Sequence, residues 1–155
     1  REGRELLMIR RYNASQQFAK RTPKVDLAPG LYQRIAHTST DCGATWSEPF
    51  LLPVSDVMCH GTLARSAGRI YFSIPYGRSD RGVSTVWDAD RIRGAIYFSD
   101  DDGATWKHKL ITDEPYSYST VGDLGNGTRI ALYARGGLGD DGIGCRTFDD
   151  EWLEE

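Results

Sequence analysis

The segment from Pro75 to Asp90 carries Tyr76, Arg78, Arg81 and Trp87, aromatic faces and guanidinium donors of the kind that stack on sugars and bond to their hydroxyls. Its alternative is a solvated loop. A second long connection runs from Asn13 to Gly30. Connections of such length without structure of their own are usually functional or disordered. Three further residues stand at the ends of apolar runs: Arg11 closes one, Arg91 opens one and Tyr118 leads into one. A guanidinium offers parallel N–H donors that match a planar carboxylate. His60 is a lone histidine and reads as structural or as a pocket-wall donor rather than as a metal ligand. Asp100, Asp101 and Asp102 lack the bidentate Glu of a calcium loop, so neither metal nor cofactor is expected.

What could bring these residues together is an internal repeat. Ser39-Thr40-Asp41-Cys42-Gly43-Ala44-Thr45-Trp46 and Ser99-Asp100-Asp101-Asp102-Gly103-Ala104-Thr105-Trp106 share the pattern S-x-D-x-G-A-T-W, 60 residues apart. Gly3, Gly68 and Gly127 each precede an apolar run, with spacings of 65 and 59. Alternating runs, Leu31 to Thr38 and Ile92 to Phe98, lead into the two boxes. A degenerate third copy of the box is expected at Thr147 to Trp152. In each box Ser and Asp can hold backbone N–H groups of a turn, Gly permits positive φ, and Trp can plug between neighbouring sheets. Ser39, Asp41, Gly43 and Trp46, with Ser99, Asp101, Gly103 and Trp106, therefore read as structural positions.

Short strands at this density with a period near 60 predict an all-β fold of about four antiparallel strands per unit, the blade of a β-propeller. The units are expected at about 1–58, 59–117 and 118–155. Closed propellers need at least about four blades. This chain supplies two to three, so the ring would be completed by an upstream half or by another copy of the chain. The start at Arg1 reads as mid-strand, and the chain as the carboxyl-terminal part of something longer. In a blade, the connection between strands 2 and 3 emerges on the same face as the start of strand 1. Arg11, Arg91 and Tyr118 should then converge on one face.

Composition narrows the partners. Nineteen basic residues against 22 acidic give a net charge of −3 and no basic field for nucleic acid. No apolar run approaches the roughly 18 residues of a membrane helix. Cys42, Cys59 and Cys145 are an odd number without a C-x-x-C pair, which argues against a zinc site and a full disulfide framework.

The two boxes, Cys59-His60-Gly61-Thr62, Phe72-Ser73-Ile74-Pro75, Arg91-Ile92-Arg93 and Tyr118-Ser119 before Gly125-Asn126-Gly127 follow the order seen in exo-sialidases, and the closing Trp152-Leu153 is similar as well. The chain resembles the carboxyl-terminal half of that six-bladed Asp-box family. The resemblance implies a retaining glycoside hydrolase acting on terminal α-linked sialic acid, a sialylated glycan or similar acidic sugar as partner, and a secreted or periplasmic setting. It implies that Tyr118 is the nucleophile and that Arg11 and Arg91 hold the sugar carboxylate; Trp87 is added as a substrate contact from the composition of its loop. Arg10 and Arg93 are the neighbours that could be confused with these arginines. Period-2 alternation puts Arg11 with Leu7 and Ile9, and Arg10 opposite. A neutral phenol suits a substrate whose anomeric carbon carries a carboxylate, because a carboxylate nucleophile would approach against like charge. A free phenol, with a pKa of about 10, needs a base.

The sequence also departs from that family. Its Glu base, its Asp acid/base and its first arginine would fall before Arg1. Ala134 stands where family members commonly carry a Glu that orients the first arginine. These departures keep a second expectation in play, a non-catalytic Asp-box propeller that binds carbohydrate or protein.

Overall fold

A computed structural model describes residues 6–11, 32–56, 59–76, 91, 93–135 and 142–155. Among the described residues the fold is all-β apart from one turn of helix. The first sheet has the order β1(Leu6–Arg11), β2(Tyr32–Ser39), β3(Phe50–Asp56). The second is β4(Thr62–Ser66), β5(Arg69–Pro75), β6(Gly94–Ser99), β7(Lys107–Thr112), and the third β8(Ser117–Asp123), β9(Arg129–Ala134), β10(Ile143–Phe148). Every neighbouring pair is antiparallel and consecutive in the chain. The helix α1(Asp150–Glu154) follows the last strand.

The second sheet is buried on both faces, which explains why β5 and β6 are apolar almost without interruption. Phe72, Ile74, Ala95 and Tyr97 pack on Ala36, Leu52 and Val54 of the first sheet. Tyr71, Ile96 and Phe98 point the other way, onto Val121, Ala131, Phe148 and Leu153. Strand β8 has one covered face, and its residues alternate buried and exposed accordingly.

The boxes form the turns after β2 and β6, and their geometry repeats bond for bond. Gly43 N–H donates to Ser39 Oγ (2.8 Å), which itself donates to Asp41 Oδ1 (2.8 Å), while Thr45 N–H and Oγ1–H donate to the Asp41 carboxylate at 2.8 and 2.5 Å. In the second box Ser99, Asp101, Gly103 and Thr105 give 2.8, 2.8, 2.8 and 2.6 Å for the same bonds. Gly43 and Gly103 both have φ +89°, the left-handed region that glycine adopts without strain. The threonine hydroxyl and then its N–H, with the serine hydroxyl, hold each Asp carboxyl down at about 2.

The two tryptophans differ. Trp106 packs on the cluster between the first and second sheets and donates its indole N–H to Gly103 O at 2.9 Å, whereas Trp46 is 40% exposed. The segment expected to be a third box instead ends β10 and starts α1. Asp149 caps the helix by accepting from Trp152 N–H at 2.8 Å. Arg69 clasps the helix through Asp150 (3.2 Å) and Glu154 (2.8 Å), and Tyr71 Oη–H donates to Asp150 at 2.6 Å. No helix among the described residues is long and apolar enough to cross a membrane.

Candidate functional site

The ends of the sheets opposite the boxes carry arginine and tyrosine. Arg11 is the last residue of β1, and its backbone lies opposite Arg34 of β2. Arg34 is buried although it is charged, with its guanidinium 5.6 Å from the Phe72 ring centroid and bonded to the carbonyl of Cys59. Burying a guanidinium is costly unless its donors are satisfied, and that carbonyl is one acceptor. Cys59 is fully buried, and its Sγ accepts the N–H of Tyr118 at 3.4 Å. Backbone and thiol of Cys59 thus join the first sheet to the third.

Tyr118 occupies the irregularity in the β8–β9 ladder, between the pairs Ser117–Ala134 and Ser119–Tyr133. Its φ of +21° is uncommon for a bulky residue, and its side chain is 55% exposed. A bulge of this kind re-aims a side chain out of the pleat. The ring meets Arg91, whose guanidinium carbon stands 5.2 Å from the centroid, inside the range of cation–π attraction. Arg91 is only 6% exposed.

Beneath this pair lies a buried aromatic support that the sequence reading passed over. Tyr116 N–H donates to the carbonyl of Arg91 at 2.8 Å, and the Tyr116 and Ser73 hydroxyls share a bond of 2.6 Å. Burial pushes the Tyr116 phenol up from its ordinary value, partly offset by the Ser73 hydroxyl. The ring stacks on Tyr133 with centroids 4.2 Å apart. Each ring rests against a glycine that has no room for a side chain: a Cβ on Gly94 would lie 2.3 Å from Tyr116, and one on Gly144 2.3 Å from Tyr133. Thr62 Oγ1–H donates to Ser119 O at 2.9 Å and ties β4 to the same stretch of β8.

Compared with known proteins, the chain matches no protein-family model and no curated sequence.

The site therefore rests on its own geometry. Arg91 and Tyr118 are brought together. Arg11 shares their end of the sheets, and the structure gives its backbone alone. Trp87, with Arg78 and Arg81, lies outside the described residues, as does the connection 13–30. Arg93 goes elsewhere: its guanidinium lies over Tyr76 at 5.4 Å, and Tyr76 packs on the cluster between the first and second sheets. Tyr76 in turn stacks on His108 at 5.0 Å, and burial lowers the pKa of that imidazole. Ala134 is half-buried at the end of β9. The carboxylate nearest to Tyr118 in sequence, Glu114, accepts from the Tyr133 hydroxyl (3.2 Å) and pairs with Arg146 (3.1 Å). Among the described residues no group of His, Cys, Asp and Glu could hold a metal ion.

Chemically, Tyr118 presents a phenol at the surface, with the nearly inaccessible Arg91 guanidinium against its ring. Arg34, Cys59, Ser73 and Tyr116 are the parts that sequence reasoning missed. One signal was present, a Cys ahead of His60-Gly61-Thr62, but its partners are 25 and 59 residues away in sequence.

Proposed function

We propose that this chain is part of a sialidase-like β-propeller whose site releases terminal α-linked sialic acid with retention. The observation that carries the reading is the pairing of Arg91 with Tyr118 on an exposed bulge. The three stacked antiparallel sheets with Asp-box turns support the propeller reading, as successive blades. In the proposed reaction Tyr118 Oη attacks the anomeric carbon, the glycosidic C–O bond breaks, and water then cleaves the tyrosyl intermediate. Arg91 and Arg11 hold the sugar carboxylate through paired N–H donors. Arg91, buried and packed on Tyr118, suits that role better than Arg93, which is stacked on Tyr76. The base that takes the phenol proton, the acid and the first arginine have no counterpart in these 155 residues, so the activity is proposed for a form that contains them.

The test is turnover of a fluorogenic α-sialoside by the longest form of the protein, beside the Tyr118→Phe variant and the methyl ester of the substrate. We expect the variant to lose about a thousandfold or more in kcat, and the ester, which lacks the anion, to be a poor substrate. Equal turnover by the variant would remove the assignment. Ala134 favours a second reading, a propeller that binds acidic sugars without hydrolysing them. It would show as binding of free sialic acid, abolished by Arg91→Ala, with no turnover.

A further inference from the structure

The turn between β8 and β9 places an asparagine side chain beside a backbone nitrogen that nothing holds. Asn126 and Gly127 stand at its tip, and both are exposed. Asn126 Oδ1 accepts the N–H of Thr128 at 3.1 Å, which draws the side-chain amide toward the backbone that follows it. Leu124 N–H donates to Thr128 O at 3.0 Å and closes the turn. Gly127, with φ of +84°, brings no Cβ to obstruct an approach. Among the described residues its N–H has no hydrogen-bond partner, whereas its carbonyl accepts from Arg129 at 2.7 Å.

The second box holds the same kind of dipeptide in the opposite condition. Asp102-Gly103 also puts a side-chain carbonyl carbon next to a glycine nitrogen, and Gly103 has a similar φ of +89°. There the Gly103 N–H donates to the buried Ser99 Oγ at 2.8 Å, and the Asp102 carboxylate pairs with Arg65. A nitrogen whose proton is held in a buried bond is a poor nucleophile, and a carboxylate is a poor acyl donor. One repeat before Asn126, counting from Gly68 and Gly127, the position is taken by Ala67, which has no acyl carbon to offer. At Asn126 the acyl carbon, the unheld nitrogen and exposure to water coincide.

We propose that Asn126 is a site of spontaneous modification, converting to aspartate and isoaspartate through a cyclic imide formed with Gly127. After solvent base takes its proton, the Gly127 nitrogen attacks Asn126 Cγ. The N–Cγ bond forms, and the carbonyl electron pair moves onto Oδ1, where the Thr128 N–H already donates. The Cγ–Nδ2 bond then breaks, and ammonia leaves with a proton from water. Water opens the imide at either carbonyl, so one water is consumed and one ammonia released, with no change of oxidation state. Both products carry an ionised carboxylate at neutral pH. That charge arises near Asp123 in sequence, whose carboxylate already accepts from Ser66 Oγ–H and from Gly125 N–H at 2.7 Å. The isoaspartyl product also adds a methylene to the backbone inside the Leu124–Thr128 turn, which strains its closing bond. The change falls at the box end of the third sheet, away from Tyr118, and the inference does not depend on the sialidase reading.

Peptide mass spectrometry of the longest form of the protein, incubated at mildly alkaline pH both folded and in urea, provides the test. The exchange of NH2 for OH and the chromatographic separation of the two products report conversion at Asn126. Isomerisation at Asp102-Gly103 is followed in the same samples, each dipeptide being compared with itself unfolded. We expect Asn126 to convert in the folded protein at a rate within about tenfold of the unfolded one. Asp102-Gly103 should slow by more than that on folding, since its nitrogen is held. Retention of Asn126 in the folded protein while the unfolded chain converts would overturn the proposal, because the turn would then protect the amide. Equal slowing of the two dipeptides on folding would overturn it as well, because the unheld nitrogen would then confer nothing. Circular dichroism reports the folded state throughout, and no variant is required.

Discussion

The two ends of the sheets are held by different kinds of contact. At the box end, Ser39, Asp41, Gly43 and Thr45 satisfy one another within seven residues of chain, and Ser99 to Thr105 do the same. At the opposite end Arg34 reaches Cys59 across 25 residues and Cys59 reaches Tyr118 across 59. A local turn needs little loop closure, whereas the Arg91–Tyr118 pair forms only once the third sheet has stacked on the second. The box end can therefore keep its geometry when packing is disturbed, and the arginine end cannot.

The comparison can be broken most forcefully at Tyr116. Tyr116→Ala empties a fully buried ring site, for which about 3–5 kcal/mol of stability should be lost. Urea unfolding gives the loss, and the NMR shifts of Tyr118 should move while the amides of Thr45 and Thr105 stay in place. Gly94→Ala drives a methyl into the same ring and should cost about 1–3 kcal/mol with the same selective shifts. If the box amides moved as far as Tyr118, the two ends would not be separable.

Asp101→Ala should have the smaller and opposite signature. It removes the acceptor for Thr105 N–H and Oγ1–H, so the second box turn loosens, the melting temperature falls modestly, and Tyr118 is unaffected. Acid gives the gentlest probe. The Asp41 and Asp101 carboxyls lie near 2 in the folded protein against an ordinary 3.8, because the charged form accepts the threonine bonds. Their contribution is present in full above about pH 4 and is lost as pH falls toward 2. Carboxyl titration by NMR should return those low values in both boxes, and ordinary values would remove the turn account.

The pattern of what was legible follows the same division. The strands and both boxes could be read because alternation and turn chemistry are local; β2 and β6 begin and end within about two residues of the runs that announce them. The stretch at Thr147 to Trp152 was misleading for a physical reason. Its Asp-Asp-Glu-Trp resembles a box but has no Gly at the left-handed position, so the chain turns into a capped helix that Arg69 and Tyr71 can hold. Trp46 and Trp106 end the same G-A-T-W stretch, yet Trp106 packs on the cluster between the first and second sheets while Trp46 is 40% exposed. At the candidate site Arg91 and Tyr118 could be named from types and order. The buried Arg34, the Cys59 bridge and the Tyr116 support could not, since each depends on a partner chosen by sheet stacking.

The most direct measurement is mass spectrometry of the acid-quenched reaction between the longest form of the protein and an α-sialoside. The proposed chemistry predicts a sialyl adduct on the peptide containing Tyr118, absent from Tyr118→Phe and lost when the substrate is exhausted. An adduct on another residue, or undiminished turnover by Tyr118→Phe, would contradict it.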